Sequence, residues 1–200
     1  MKVPAADHQP YAVAGVAWAG ATTNRPGARF GPRAIRVASH MLCDGTHPHF
    51  GVTPAALLGD AADLLLPNTG LAAMRAAMAP LLRPLVERHH MVWLGGDHSI
   101  TLPLLRAYRE HHGRPLAVLH FDAHCDTWHD HFGEPSGHGT WVYEAMQEGL
   151  VVNECFMQVG LRSAGTRVRA RPGRPDPHRA RAARPGEPAA TRCRARRPAR

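Results

Sequence analysis

Short apolar runs that stop at glycine or aspartate, with helix-like stretches between them, constrain this chain more than any other feature. Ala12 to Ala17, Ala56 to Leu58, Met91 to Leu94, Ala117 to Phe121 and Phe156 to Val159 are the runs. A strand buried on both faces reads as continuous apolar sequence, and parallel strands need crossovers long enough to hold a helix. The alternation therefore predicts an α/β fold with a mainly parallel sheet covered by helices. Leu71 to Arg88 carries apolar residues at helical spacing, with Pro80 and Pro84 expected to kink or divide it. Ser99 to Glu110 is predicted as a second helix, with Ser99 as its cap and Pro103 tolerable only in the first turn. Trp141 to Gly149 is a third, ending on glycine.

At 200 residues and 44% hydrophobic content, the chain can bury one core of ordinary size. That excludes collagen-like, wholly disordered and disulfide-miniprotein classes. The formal charge of +8 points to nucleic acid until it is located. Residues 1 to 166 hold 12 Lys and Arg against 14 Asp and Glu, whereas residues 167 to 200 hold 12 against 2. The same 34 residues include 8 Ala and 6 Pro and no Leu, Ile, Phe or Trp, a composition that cannot build a core. The expected organisation is a domain over 1–166 and a disordered basic tail over 167–200. Three accounts compete for the tail: a solvated extension, a nucleic-acid-binding arm, and a coding sequence read out of frame in a GC-rich gene. The third is preferred, because no aromatic residue interleaves the arginines to stack on bases.

Cys43, Cys125, Cys155 and Cys193 form no CxxC pair, so they are read as free thiols of a reducing, cytoplasmic compartment. No window approaches 18 consecutive apolar residues, which excludes a membrane-spanning helix. The one signal-peptide candidate, Tyr11 to Ala21 behind Lys2, has Asp7 and two prolines in its flank and reads equally well as a first buried strand.

The chemistry-bearing residues cluster after two of the apolar runs. Asp122-Ala123-His124-Cys125-Asp126 follows Ala117 to Phe121 directly. In extended chain, alternate residues share a face, so Asp122, His124 and Asp126 are expected to point one way and Ala123 and Cys125 back into packing. Two carboxylates and an imidazole make a hard, anionic cradle for a divalent ion. The competing structural reading is a capped strand end, with the aspartates as turn formers. Gly95-Gly96-Asp97-His98-Ser99 closes the run Met91 to Leu94 and opens a helix, and parallel α/β sheets gather their sites at that edge. The glycine pair allows close backbone approach, while G-x-G-x-x-G and the P-loop pattern are both absent. His138, in Pro135-Ser136-Gly137-His138-Gly139-Thr140, sits between glycines, which suits a residue that meets substrate. His47, His49, His89, His90, His111, His112, His129 and His131 lack a neighbouring ligand strand and are set aside.

Taken in order, Thr22 to Arg36 (with Asn24-Arg25-Pro26-Gly27), Gly95 to Ser99, Asp122 to Thr127, His138-Gly139-Thr140 and Gln158-Val159-Gly160-Leu161-Arg162 resemble the ureohydrolases of the arginase and agmatinase family. The agmatinase branch is nearest. The resemblance runs from about Tyr11 to Thr166. It implies a three-layer α/β/α fold with a parallel sheet of eight strands, a pair of Mn2+ ions at the carboxyl edge and a homo-oligomer. It further implies that His98, Asp122 and Asp126 hold one ion, that His124 with a bridging Asp122 holds the other, and that His138 faces the guanidinium and assists proton transfer. A guanidinium is a resonance-stabilised cation and a poor electrophile, so the attacking water needs strong activation. Two metals about 3.5 to 4 Å apart can provide it. Agmatine would give putrescine and urea.

The chain departs from the family in one respect. Members carry a later S-x-D-x-D motif whose aspartates complete both coordination spheres, and this sequence has none; beyond Asp130 its one aspartate is Asp176. The expectation is that the C-terminal strands are missing, the second ion's site is incomplete and hydrolysis by this polypeptide is impaired. Alternatives are a related guanidino-acid ureohydrolase and a non-catalytic remnant whose basic tail binds nucleic acid.

Overall fold

The alanines and valine of the first apolar run build the centre of a sheet. In the computed structural model, which describes residues 9–42, 45–54 and 57–163, Tyr11–Val16 forms strand β1 between two parallel neighbours, β2 (Leu58–Asp63) and β3 (His90–Gly95). Pairing with β3 runs unbroken from Tyr11 opposite His90 to Val16 opposite Gly95, whereas pairing with β2 slips between Val13 and Gly15. Ala12, Ala14 and Val16, on one face by the two-residue period, are fully buried. Two further parallel strands, β4 (Leu116–Phe121) and β5 (Val151–Val159), pair with each other. Every pairing between the described strands is parallel, as the α/β expectation requires, within a three-stranded and a two-stranded sheet. The chain divides into two compact units between His112 and Gly113.

In the first unit, helix α1 (Gly31–Ser39) follows a 3-10 turn at Ala28–Phe30, and helix α2 covers Leu71–Arg88, the predicted bounds. Its buried residues Met74, Met78, Leu82 and Val86 lie four apart on one stripe. Met74, Met78 and Leu82 join Val16, Trp18, Ile100 and Leu104 in the core. Pro80 and Pro84 do not divide the helix. Each removes an N–H, but the carbonyls left over, at Ala76 and Pro80, belong to exposed positions where water can take their place.

Helix α3 (Thr101–His112) begins two residues later than expected, after a 3-10 turn at His98–Ile100. The cap here is Asp97, which closes the start of the 3-10 turn, rather than Ser99. Asp97 Oδ1 accepts from Ser99 N at 2.9 Å and Oδ2 accepts from Ala21 N at 2.9 Å, so one buried carboxylate ties the turn to the loop after β1. Gly96 has φ of 80°, and a Cβ there would overlap Val16 O, so the close backbone approach expected of the glycine pair is present.

Arg36 secures α1 to β2. Its Nε and Nη2 donate to Asp60 Oδ2 and Oδ1 at 2.8 and 2.9 Å, and Nη1 reaches Asp63. Both the Arg36 and Asp60 side chains are only 18% exposed. The hydrogen bond to Asp60, opposed by burial and aided by Asp63, raises the guanidinium above its ordinary pKa. Arg36→Met is expected to lower stability by about 1–3 kcal/mol in urea denaturation. Arg36→Lys should recover only part of that, since an ammonium cannot form the two-pronged pair.

In the second unit, β5 starts at Val151, ahead of the predicted Phe156. Pairing slips between Leu116 opposite Val151 and Val118 opposite Phe156, and the slip absorbs the polar Asn153-Glu154 that hid this half of the strand. Helix α4 (Trp141–Gln147) buries Trp141, Val142 and Ala145. Cys125 is a buried free thiol, but Cys155 is disulfide-bonded, which corrects the reading of it as free. No helix among the described residues is long and apolar enough to cross a membrane. The Arg-rich stretch 167–200, Ala56, Cys43 and Cys193 lie outside the described residues.

Candidate metal centre

Strand β4 ends at Phe121, and the expected extended run from Asp122 to Asp126 is replaced by a turn. Asp122 N still donates to Val159 O of β5 at 3.0 Å. Its side chain then takes over the backbone's role, with Oδ1 accepting from His124 N at 2.8 Å. Aspartate competes for nearby N–H groups in this way, and the chain turns where the strand would have continued. Asp126 has φ of 51°, in the left-handed region that aspartate tolerates better than most residues. The carboxylates therefore converge through a turn and not through strand alternation.

His120, Asp122 and Asp126 each bring a donor atom within 4.8 Å of the others. The two oxygens of Asp122 face two imidazoles: Oδ1 lies 3.2 Å from His124 Nδ1, and Oδ2 lies 3.4 Å from His120 Nε2. Asp126 is 7% exposed, and its Oδ2 accepts from Trp141 Nε1 at 2.7 Å. Trp141 itself is 1% exposed and packs its ring edge-on to His120 at 4.9 Å. Two carboxylates, one of them buried and aimed by an indole, with imidazoles beside them, match the donor chemistry of a hard divalent ion. His124 stands on the open side with its side chain 71% exposed, and Cys125 turns inward as expected.

His120 was not singled out in the sequence, where it passes as one position of an apolar strand. The available signal was its place two residues before Asp122, which extends the alternating polar series backward from Asp122. The loop of His138 also differs from expectation, because its glycines serve packing more than freedom. A Cβ on Gly137 would overlap the His131 ring, and that ring lies 5.3 Å from the His138 ring. The fully buried Thr140 accepts from Gly137 N at 2.9 Å and donates to Glu144 Oε1 at 2.6 Å. Ser136 Oγ donates to the same Glu144 oxygen at 2.6 Å. Glu144, one helical turn after Thr140, thus fastens the His138 loop to α4, a role the four-residue spacing could have suggested.

His98 belongs to the first unit, in the 3-10 turn capped by Asp97, and is half-buried. Among the histidines set aside, His89 follows α2 as a satisfied core residue, with Nδ1 2.7 Å from Gln9 O.

The chain is 38% identical over 161 residues to an agmatinase of Chromobacterium violaceum, covering 76% of this chain and 48% of that protein. It is 37% identical over 156 residues to the human mitochondrial guanidino acid hydrolase, covering 72% and 42%. A crystal structure of a hypothetical agmatinase from Burkholderia thailandensis superposes with a TM-score of 0.73 at 37% identity, over 80% of this chain and 51% of that one. The chain spans about half the length of the curated relatives it matches. Since the arginase family model also matches residues 9–174, the chain belongs to the arginase family.

Proposed function

We propose that this chain carries part of a metal-dependent ureohydrolase whose substrate is agmatine, hydrolysed to putrescine and urea. The observation that carries the reading is the Asp122 carboxylate, whose oxygens face His124 on one side and His120 on the other, beside the buried and oriented Asp126. By this reading His98, Asp122 and Asp126 would hold one Mn2+, and His124 with Asp122 would hold a second, the residues and ions already named from sequence. When bound, such a pair supplies the Lewis acidity that activates a water toward the guanidine carbon. The protein's own part is to keep Asp122 in its turn, hold Asp126 on the Trp141 indole, and carry His138 on a loop fastened by Glu144, where it moves a proton to the departing amine. The domain boundary near residue 166, a cytoplasmic setting and a homo-oligomer belong to the same reading.

The sequence holds no S-x-D-x-D, so the second ion keeps few protein donors and hydrolysis by this polypeptide alone is slow. The likeness to a guanidino acid hydrolase favours a second reading, a substrate with a carboxylate. Titration calorimetry of the Mn2+-loaded chain with agmatine and with 4-guanidinobutyrate separates the two. Agmatine is expected to bind more tightly, with urea released far below an ordinary enzymatic rate. Preference for the guanidino acid would reject agmatine, and rapid urea release would reject the impairment.

A further inference from the structure

The second unit contains a run of polar groups, Cys125 to Gln158 to His120 to Asp122, whose hydrogens can be placed from chemistry alone; its first two links are hydrogen bonds, and the third is a 3.4 Å approach of His120 Nε2 to Asp122 Oδ2 that falls outside hydrogen-bond geometry and would have to tighten. It starts at a backbone carbonyl. Cys125 O lies 2.8 Å from the terminal side-chain nitrogen of Gln158, and a carbonyl accepts only, so the group facing it is the amide NH2 and not the amide oxygen. That same NH2 lies 3.0 Å from His120 Nδ1. With two hydrogens it serves both neighbours, and Nδ1 must then accept. In a neutral imidazole that accepts at Nδ1, the hydrogen sits on Nε2, and Nε2 faces Asp122 Oδ2 at 3.4 Å. Gln158 and His120 are both buried, so neither is free to turn over in solvent. Trp141, edge-on at 4.9 Å, and Phe156, at 6.3 Å, hold the imidazole plane.

We propose that His120 is a positioning residue: it donates through Nε2–H to Asp122 Oδ2, orients the carboxylate that the metal centre shares, and is not itself a metal ligand. Coordination through Nε2 would need a lone pair there and a hydrogen on Nδ1. That hydrogen would point at the Gln158 NH2, two donors opposed at 3.0 Å in a buried site, which the fold penalises. Gln158, on β5, thereby decides the role of a residue on β4. A histidine that looks like a ligand by proximity is held in the hydrogen-bonding form that cannot coordinate at Nε2. The orienting role rests on the metal-centre reading above, whereas the direction of the hydrogen bonds does not.

The test begins with the full chain labelled with 15N-histidine. In long-range proton–nitrogen correlation spectra without metal, His120 is expected to show a hydrogen-bearing Nε2 and a bare Nδ1. The opposite pattern overturns the proposal whether or not the chain binds metal. Addition of Zn2+, a diamagnetic probe, should leave Nε2 with its hydrogen; its loss, with a shift to a metal-bound nitrogen, would make His120 a ligand. Two variants give a readout that a purely structural role would not. His120→Leu removes the donor and is expected to weaken Mn2+ binding by about 10-fold, the usual cost of losing a group that orients a ligand. His120→Gln, whose amide N–H reaches the place of Nε2–H, is expected to restore most of it. Equal losses in both variants would contradict the positioning role.

Discussion

Asp122→Asn is expected to weaken Mn2+ binding by at least about 100-fold, beyond the 10- to 100-fold loss typical when a residue only orients a ligand. The substitution keeps size and shape and changes one oxygen to an amide. The remaining oxygen still accepts from His124 N, so the turn after β4 is preserved. The amide NH2 then occupies the position of Oδ2, which faces His120 Nε2. A carboxylate that could serve two sides of a metal centre becomes a neutral group with one acceptor, and the charge that attracts a divalent ion is gone. Titration followed by the electron paramagnetic resonance of free Mn2+ measures the change. Affinity within about threefold of the parent would show that Asp122 is a turn former and nothing more.

The second large effect is at Trp141, where the fold and the proposed centre share one side chain. Truncation to Ala empties the site of a ring that is 1% exposed and is expected to cost about 3–5 kcal/mol in urea denaturation followed by circular dichroism. Trp141→Phe separates the two functions of the residue. It keeps a ring beside His120 and Phe156 while removing the indole N–H from Asp126 Oδ2. The buried carboxylate loses a donor, at about 1–3 kcal/mol, and Mn2+ affinity should fall about 10-fold because Asp126 is no longer aimed. A Phe variant with parental stability and parental affinity would show that the bond at 2.7 Å does not orient Asp126.

These effects also show where the sequence was informative. The α/β class followed from apolar runs and intervening helical periodicity, because burial of a parallel strand leaves that imprint directly on residue type. Helix α2 kept its predicted ends since Met74, Met78, Leu82 and Val86 form a stripe that two exposed prolines do not interrupt. Asp122 and Asp126 were legible as ligand types. Their geometry was not, because alternation assumes that the strand continues, and the Asp122 side chain ends it by capturing His124 N.

Contacts between distant residues were the least visible. Gln158 and His120 are 38 positions apart and meet because β4 and β5 pair with His120 opposite Gln158. Asp97 replaced Ser99 as the cap because its second oxygen has a partner 76 positions away at Ala21.

The central claim is that the residues after β4 hold a divalent ion, which anomalous scattering locates without reference to catalysis. Crystals of this chain grown with MnCl2 should show, at the manganese edge, a peak in contact with carboxylate oxygens of Asp122 and Asp126. A peak that does not include Asp122, or no peak at saturating Mn2+, would contradict it.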